Sequence, residues 1–218
     1  MATVIAVSGR AEERVEPELG AVSLTVGSSG GDRESLLHDV STAHEQLLAE
    51  VRELEASGSI ESWSAGQLRV WSHRPWNAEG RQLPLVHQAN ADVEVVFRDL
   101  SALGAWLGRV TGAAHIALGG IDWRLTEATR ERVLEAAQRA AVADAVRKAS
   151  VYAEALGLGE PAPVELADSG MLTTPQPIPR AHKAVMMRAM ADAGPPEPEI
   201  APAKLVVEAS VDARFSAG

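Results

Sequence analysis

The stretch that decides the fold is Glu127–Gly157, which reads EATRERVLEAAQRAAVADAVRKASVYAEALG. Its apolar residues recur at helical spacing, and most of them are alanine. The stripe predicted to face the interior comprises Leu134, Ala137, Ala141, Val142, Val146, Ala149, Ala153 and Leu156. Small side chains let a helix lie close to a sheet or to another helix. With Thr126 as N-cap and Gly157 as stop, the pattern predicts one long helix.

Two charged pairs at i, i+4 spacing lie on the same helix. They are Glu135 with Arg139 and Asp144 with Lys148. Such pairs suit a solvated outer face and contribute roughly 0.2–0.5 kcal/mol each. We therefore expect the helix to carry the fold and no chemistry.

The rest of the chain alternates between strand and helix patterns. Residues 4–16 and 19–27 alternate with period two and are predicted to pair as a hairpin. Further strands are predicted at 60–72, 85–97, 116–125, 164–167 and 204–215, and two amphipathic helices at 32–58 and 100–111. The prediction is an α+β fold: antiparallel β-strands packed against three helices, one of them long and alanine-rich, in a single domain over residues 1–218.

A Pro/Met-rich excursion interrupts this pattern at about residues 169–202. Its prolines forbid a continuous helix or a central strand. A short helix could still form around Met186, Met187 and Met190. Methionine side chains adapt to many surfaces, so this segment could dock a partner, or it could pack on its own subunit.

Composition excludes several classes of protein. The chain has 218 residues, 46% of them hydrophobic, a net charge of -10 and no cysteine. Disulfides and thiolate metal sites are therefore excluded, and the acidity argues against nucleic acid as a partner. No signal peptide and no membrane span is visible, which predicts a cytoplasmic protein.

Motifs for catalysis, cofactors or metals are not legible in the sequence. The six histidines include no pair at the i, i+4 spacing of a metal site. The chain also lacks a Gly-x-Ser-x-Gly elbow and a Gly-x-Gly-x-x-Gly or Walker loop. We expect no catalytic residue, metal ligand or cofactor, and an enzyme is the third of three hypotheses.

The five tryptophans are unusual beside two phenylalanines and one tyrosine. Residues 60–72 and 85–97 are predicted to pair as a second, longer hairpin. Trp71 and Trp76 flank it, with His73 and Arg74 between them. These four residues form either an exposed aromatic tip that binds a partner or ligand, or a pair of rings packed over the sheet edge. Together with Met186, Met187 and Met190, they are the candidate binding residues.

The order of these segments resembles the SIMPL domain family, which includes bacterial YggE-type proteins and a periplasmic immunogenic protein. The resemblance rests on Val7-Ser8-Gly9-Arg10-Ala11 with Pro17-Glu18, on the alanine-rich helix with Asp144-Ala145 and Lys148-Ala149, and on the strand at 205–215. It implies an α+β fold with helices on one face of antiparallel strands, assembly into large ring- or barrel-shaped homo-oligomers, and an association with stress responses. Pro17-Glu18 replaces the family's usual Pro-Asp, and many members carry a signal peptide.

Two leading hypotheses follow for function. The first is a non-enzymatic protein that associates with itself through strand edges, the hairpin loop or the excursion, because uncovered strand edges tend to pair. The second is a binding module for a small molecule or a peptide, formed by the Trp71–Trp76 hairpin and the methionine segment.

Overall fold

A computed structural model describes residues 2–79, 81–172 and 202–218. Within these residues, three helices and two antiparallel sheets confirm the predicted α+β fold. In chain order the elements are β1 (Thr3–Val15), β2 (Leu19–Gly30), α1 (Arg33–Ala56), β3 (Ile60–Ala65), β4 (Arg69–His73), β5 (Val86–Phe97), α2 (Leu100–Val110), β6 (Ile116–Arg124), α3 (Glu127–Ala155), β7 (Ala162–Asp168) and β8 (Leu205–Ala217).

The chain forms two compact units. The first contains β1, α3, β7 and β8, and the second contains β2 to β6 with α1 and α2. That the whole chain acts as one domain over residues 1–218 stays a prediction. The residues predicted for a short helix around Met186 lie outside the described part of the chain.

In the first unit, α3 covers a three-stranded antiparallel sheet with the order β1-β8-β7. The helix packs on β1 and β8, and its alanines form a core with Ile5, Val211 and Phe215. The pairing of β1 with β8 runs from Thr3 opposite Ala217 to Val15 opposite Leu205. The first and last strands of the chain are therefore neighbours.

The predicted hairpin of residues 4–16 and 19–27 was wrong. β1 pairs with β8, whereas β2 pairs with β5 and β6 in the second unit. Period-two alternation identifies which face of a strand is buried, but it carries no information about the neighbouring strand. The longer hairpin was confirmed, since β3 and β4 both pair with β5.

The buried stripe of α3 differs from the predicted one. The buried residues recur every fourth position, at Val133, Ala137, Ala141, Ala145, Ala149 and Ala153. Leu134, Val146 and Leu156 are exposed. A step of four residues turns the stripe by about 40° each time, because an α-helix has 3.6 residues per turn. The contact line thus winds around α3 where the helix crosses a twisted sheet.

In the second unit, α1 and α2 cover one face of a five-stranded sheet. Asp32 and Asp99 cap the two helices by accepting hydrogen bonds from backbone N–H groups in their first turns. Trp106 is fully buried against Phe97, and its Nε1 donates to Glu50 Oε2 at 3.1 Å. A register shift between β2 and β6 marks an irregularity at Gly119-Gly120.

Candidate functional site

The four aromatic-site residues predicted from the sequence lie on β4 and in the loop after it. Trp71 stands opposite Gln88 of β5 and is 43% exposed, and Trp76 is 86% exposed. The Trp76 ring is therefore not packed over the sheet edge, which was one of the two predicted arrangements. Its ring offers a large apolar surface to a partner.

His73 and Arg74 are also exposed. His73 stands opposite Val86 at the end of the β4–β5 ladder, and Arg74 Nη1 donates to the carbonyl oxygen of Leu83 at 2.7 Å. This bond ties the start of the loop to its end. Met186, Met187 and Met190 lie outside the described residues, so a joint site of these methionines and the aromatic residues stays a prediction.

The outer edge of β1 is occupied by two side chains from α3. Asp144 Oδ2 accepts a hydrogen bond of 3.0 Å from the backbone N–H of Arg10, and Lys148 Nζ donates one of 2.8 Å to the carbonyl oxygen of Ser8. Lys148 Nζ and Asp144 Oδ2 are themselves 2.7 Å apart. We call this pair of side chains the β1 clamp.

Gly9 explains how α3 comes close enough to form the clamp. A Cβ atom at Gly9 would lie 2.0 Å from the carbonyl oxygen of Ala141 and 2.8 Å from the Cβ of Ala145. Only a residue without a side chain leaves room for the helix backbone here. The small alanines of α3 complete the close approach.

Two carboxylates of the first unit are stabilised in their charged form. The hydrogen bond from Lys148, followed by the one from the Arg10 N–H, holds the pKa of Asp144 well below its usual range. The hydroxyl of Ser8, at 2.6 Å, and the N–H of Gly170, at 2.7 Å, lower the pKa of Asp212. Both groups therefore act as anionic hydrogen-bond acceptors that hold strands and turns in place.

The opposite edge of this sheet is β7. It pairs only with β8 among the described residues, so its other side is open. Along an antiparallel strand the backbone N–H and C=O groups point alternately to one side and to the other. The backbone groups of Ser8 and Arg10 in β1 point away from β8. By the two registers, the backbone groups of Leu166 in β7 also point away from β8. Val164 is 62% and Leu166 57% exposed. Within the described ranges, this edge combines backbone groups that have no strand partner with exposed apolar side chains.

A groove of about 350 Å³ lies beside this edge. Val142 of α3 and Val211 of β8 line it together with Gln138, Arg139 and Asp168. Leu166 stands opposite Ala213 and so shares the face covered by α3, but α3 packs mainly on β1 and β8 and leaves Leu166 exposed. The groove could accept apolar side chains from a strand added to β7.

Two adjoining clefts of about 410 and 710 Å³ lie around Arg10 and Ser169 in the first unit. Ser8 is among the lining residues, and its Oγ donates to Asp212. The described lining residues include no histidine that could serve as the base for a serine nucleophile. The clefts therefore offer polar contacts from Arg10, Ser169 and Asp212.

A smaller cleft of about 280 Å³ lies in the second unit between α1 and the segment before β6. Asp39, Glu50 and Arg109 bring charges of both signs to it, and His38 and His115 also line it. Glu50 is already the acceptor for Trp106. No group of side chains in the described ranges has the arrangement of a metal site. Nor is any helix in those ranges long and apolar enough to cross a membrane.

A family model described as "SIMPL: Protein of unknown function (DUF541)" matches residues 5–215. The chain belongs to the SIMPL family. No curated protein matches it in a comparison of sequences. The match confirms the resemblance seen in the sequence, and it assigns no activity.

The SIMPL match spans elements of both compact units, from Ile5 in β1 to Phe215 in β8. The segments that carried the resemblance are the ones that build the β1 clamp. Gly9 lies in the opening motif, and Asp144 and Lys148 lie in the alanine-rich helix. In this SIMPL protein those residues join the helix to the first strand.

Sequence reasoning missed the clamp. It placed Asp144 and Lys148 on a solvated face, like Glu135 and Arg139, because both pairs share the same spacing. One signal was available, since Asp144 precedes Ala145 and Lys148 precedes Ala149, so both charges adjoin the buried stripe. No residue of β7 was singled out, because its seven residues show no clear alternation.

Proposed function

We propose that this SIMPL protein is a non-enzymatic protein that assembles with copies of itself through the open edge of β7. The observation that carries the proposal is the exposure of Val164 and Leu166 on a strand whose outer side has no partner in the described part of the chain. Unpaired strand edges bind other strands through main-chain hydrogen bonds.

Charge and sequence at this edge are compatible with pairing. Lysine is one means by which edge strands avoid association, and β7 has none, although it carries Pro163 with a register shift beside it. Its central carboxylate, Glu165, is bound by Arg214 Nη1 at 2.7 Å. Pro163 removes one donor near the start of the strand, which leaves the part from Val164 onward for a partner.

A second copy fits this edge because an antiparallel strand pair can be two-fold symmetric. In such an interface each copy contributes the same patch, so one open edge per copy is sufficient. The side chain of Leu166 from one copy would lie near the groove beside β7 of the other. Two three-stranded sheets would then form one continuous sheet of six strands.

The experiment is a comparison of solution mass by analytical ultracentrifugation. The edge variant Val164→Lys/Leu166→Lys places like charges across the proposed two-fold axis and is expected to sediment as a monomer. Val4→Lys also replaces an exposed valine in the first unit, but on β1, and should assemble as the wild type does. Equal masses for wild type and edge variant would refute assembly through β7.

A second candidate function is a binding module, and the observation that favours it is the exposure of Trp76 together with Trp71. An exposed indole ring can stack on a ligand or anchor a peptide. Free amino acids and short peptides can be screened by tryptophan fluorescence. Trp76→Ala should abolish any response without changing the mass of the assembly, and an unchanged response would exclude this site.

The stress-related role implied by family resemblance and the cytoplasmic location both stay predictions. Assembly through β7 requires neither of them. The ring- or barrel-shaped assembly of more copies would need contacts beyond the single edge described above.

A further inference from the structure

We propose that Asp144 and Lys148 block the β1 edge against pairing with a second copy, so that assembly through this sheet uses β7 alone. The inference rests on the proposed assembly for its biological sense, but the blocking itself is a property of the first unit. It assigns a function to two charged residues that the sequence places on an ordinary helix surface.

The clamp occupies the groups that a new strand would need. A strand pairing with β1 must bond to its outward N–H and C=O groups, which alternate along the strand. Arg10 N–H and Ser8 C=O are two such groups, and they are already bonded to Asp144 and Lys148 at 3.0 and 2.8 Å. An incoming strand would have to displace both side chains.

Displacement is unfavourable because the two side chains support each other. They form an ion pair of 2.7 Å, and Arg147 adds a further contact to Asp144. The Asp144 side chain is only 17% exposed. Charged hydrogen-bond partners are stronger than the neutral backbone groups that would replace them.

The position of α3 makes the block permanent in the folded unit. Gly9 lies between the two clamped groups, and the helix backbone lies against it. An edge covered by another element is a recognised protection against aggregation. β7 has no comparable cover among the residues that the structure describes, so the two edges of one sheet are treated differently.

The consequence concerns where assembly stops. With one edge open, pairing ends at two copies, because the joined sheet then terminates in a clamped β1 at each end. With both edges open, each added copy presents a new free edge, and assembly continues without closure. The clamp therefore limits growth.

The test combines the edge variant with a clamp variant, Asp144→Ala/Lys148→Met, in which alanine keeps the helix and methionine keeps most of the apolar stem. With the β7 edge intact, the clamp variant should reach a weight-average mass at least about twofold above that of the wild type. This mass should rise with protein concentration. In the edge-variant background it should form dimers through β1. Glu127→Ala/Arg130→Met removes an exposed pair on the same helix, away from the groove beside β7, and should change neither mass.

The two proposals fail in different ways. A monomeric wild type refutes assembly through β7, whereas dimers of the combined edge and clamp variant would still support blocking at β1. A folded combined variant that stays at 23.0 kDa overturns the inference. If circular dichroism shows that the clamp variant has lost its helices, the milder Lys148→Met replaces it in both backgrounds and is judged by the same criterion.

Discussion

Lys148 Nζ donates a hydrogen bond of 2.8 Å to the carbonyl oxygen of Ser8, although 140 positions separate the two residues in the chain. With the bond from Arg10 N–H to Asp144, it fixes α3 across the outer edge of the first strand. This contact links the alanine-rich helix to the strand edge that we propose is closed to a second copy.

The first prediction concerns the close approach at Gly9. Gly9→Ala should lower the free energy of unfolding of the first unit by at least about 3 kcal/mol, because the new Cβ atom meets the rigid backbone of α3. Far-ultraviolet circular dichroism in urea measures it, since all five tryptophans lie in the second unit. Gly159→Ala, whose Cβ would have ordinary contact at 3.6 Å, should change stability by less than about 0.5 kcal/mol.

The second prediction concerns hydrogen exchange at the clamp. Asp144→Ala removes the acceptor of the Arg10 N–H, so exchange of that amide with deuterium should become faster. The amides of Gly9 and Ala11, which face β8 in the ladder, should keep their protection. Amide-resolved nuclear magnetic resonance distinguishes local release from general unfolding, and slow exchange at Arg10 in the variant would show that the hydrogen bond is dispensable.

The third prediction concerns pH. The folded state holds the pKa of Asp144 below the ordinary value, chiefly through Lys148, so the unfolded chain takes up the proton first. The stability that Asp144 provides is therefore complete above about pH 4 and is lost as the pH falls further. Urea titrations of the wild type should show a steeper loss below about pH 4 than those of Asp144→Asn. Parallel curves would mean that the carboxylate is not stabilised by folding.

The fourth prediction separates the buried tryptophan from the exposed one. Trp106→Ala should cost about 3–5 kcal/mol, because it empties a fully buried site and leaves Glu50 without its donor. Trp76→Ala should alter the free energy of unfolding by less than about 0.5 kcal/mol. Tryptophan fluorescence in urea reports on the unit that contains both. A large loss for Trp76→Ala would assign that ring to packing rather than to binding.

The helices were predictable because their signals are local. Spacing, caps and stops identify α1, α2 and α3 within a few residues of their ends, and Thr126 serves as the predicted N-cap of α3. Which strand lies beside which is a long-range property. Apolar and polar residues alternate in β1 as they do in residues 19–27, yet β1 pairs with β8 at the other end of the chain.

The site was harder to predict than the fold, for a physical reason. The same i, i+4 spacing separates Asp144 from Lys148 and Glu135 from Arg139. Only the first pair lies at a strand edge, where its side chains bond to backbone groups of β1 that no neighbouring strand reaches. Likewise, the exposure of Leu166 depends on where α3 stops covering the sheet. Such features depend on the packing of distant elements, which periodicity does not encode.

Self-assembly is the central claim, and the mass of the wild-type protein over a wide range of concentrations tests it most directly. Sedimentation velocity should show a species at twice the 23.0 kDa chain mass, replaced by a monomer in Val164→Lys/Leu166→Lys. A wild-type protein that sediments as a 23.0 kDa monomer at every concentration would contradict the account.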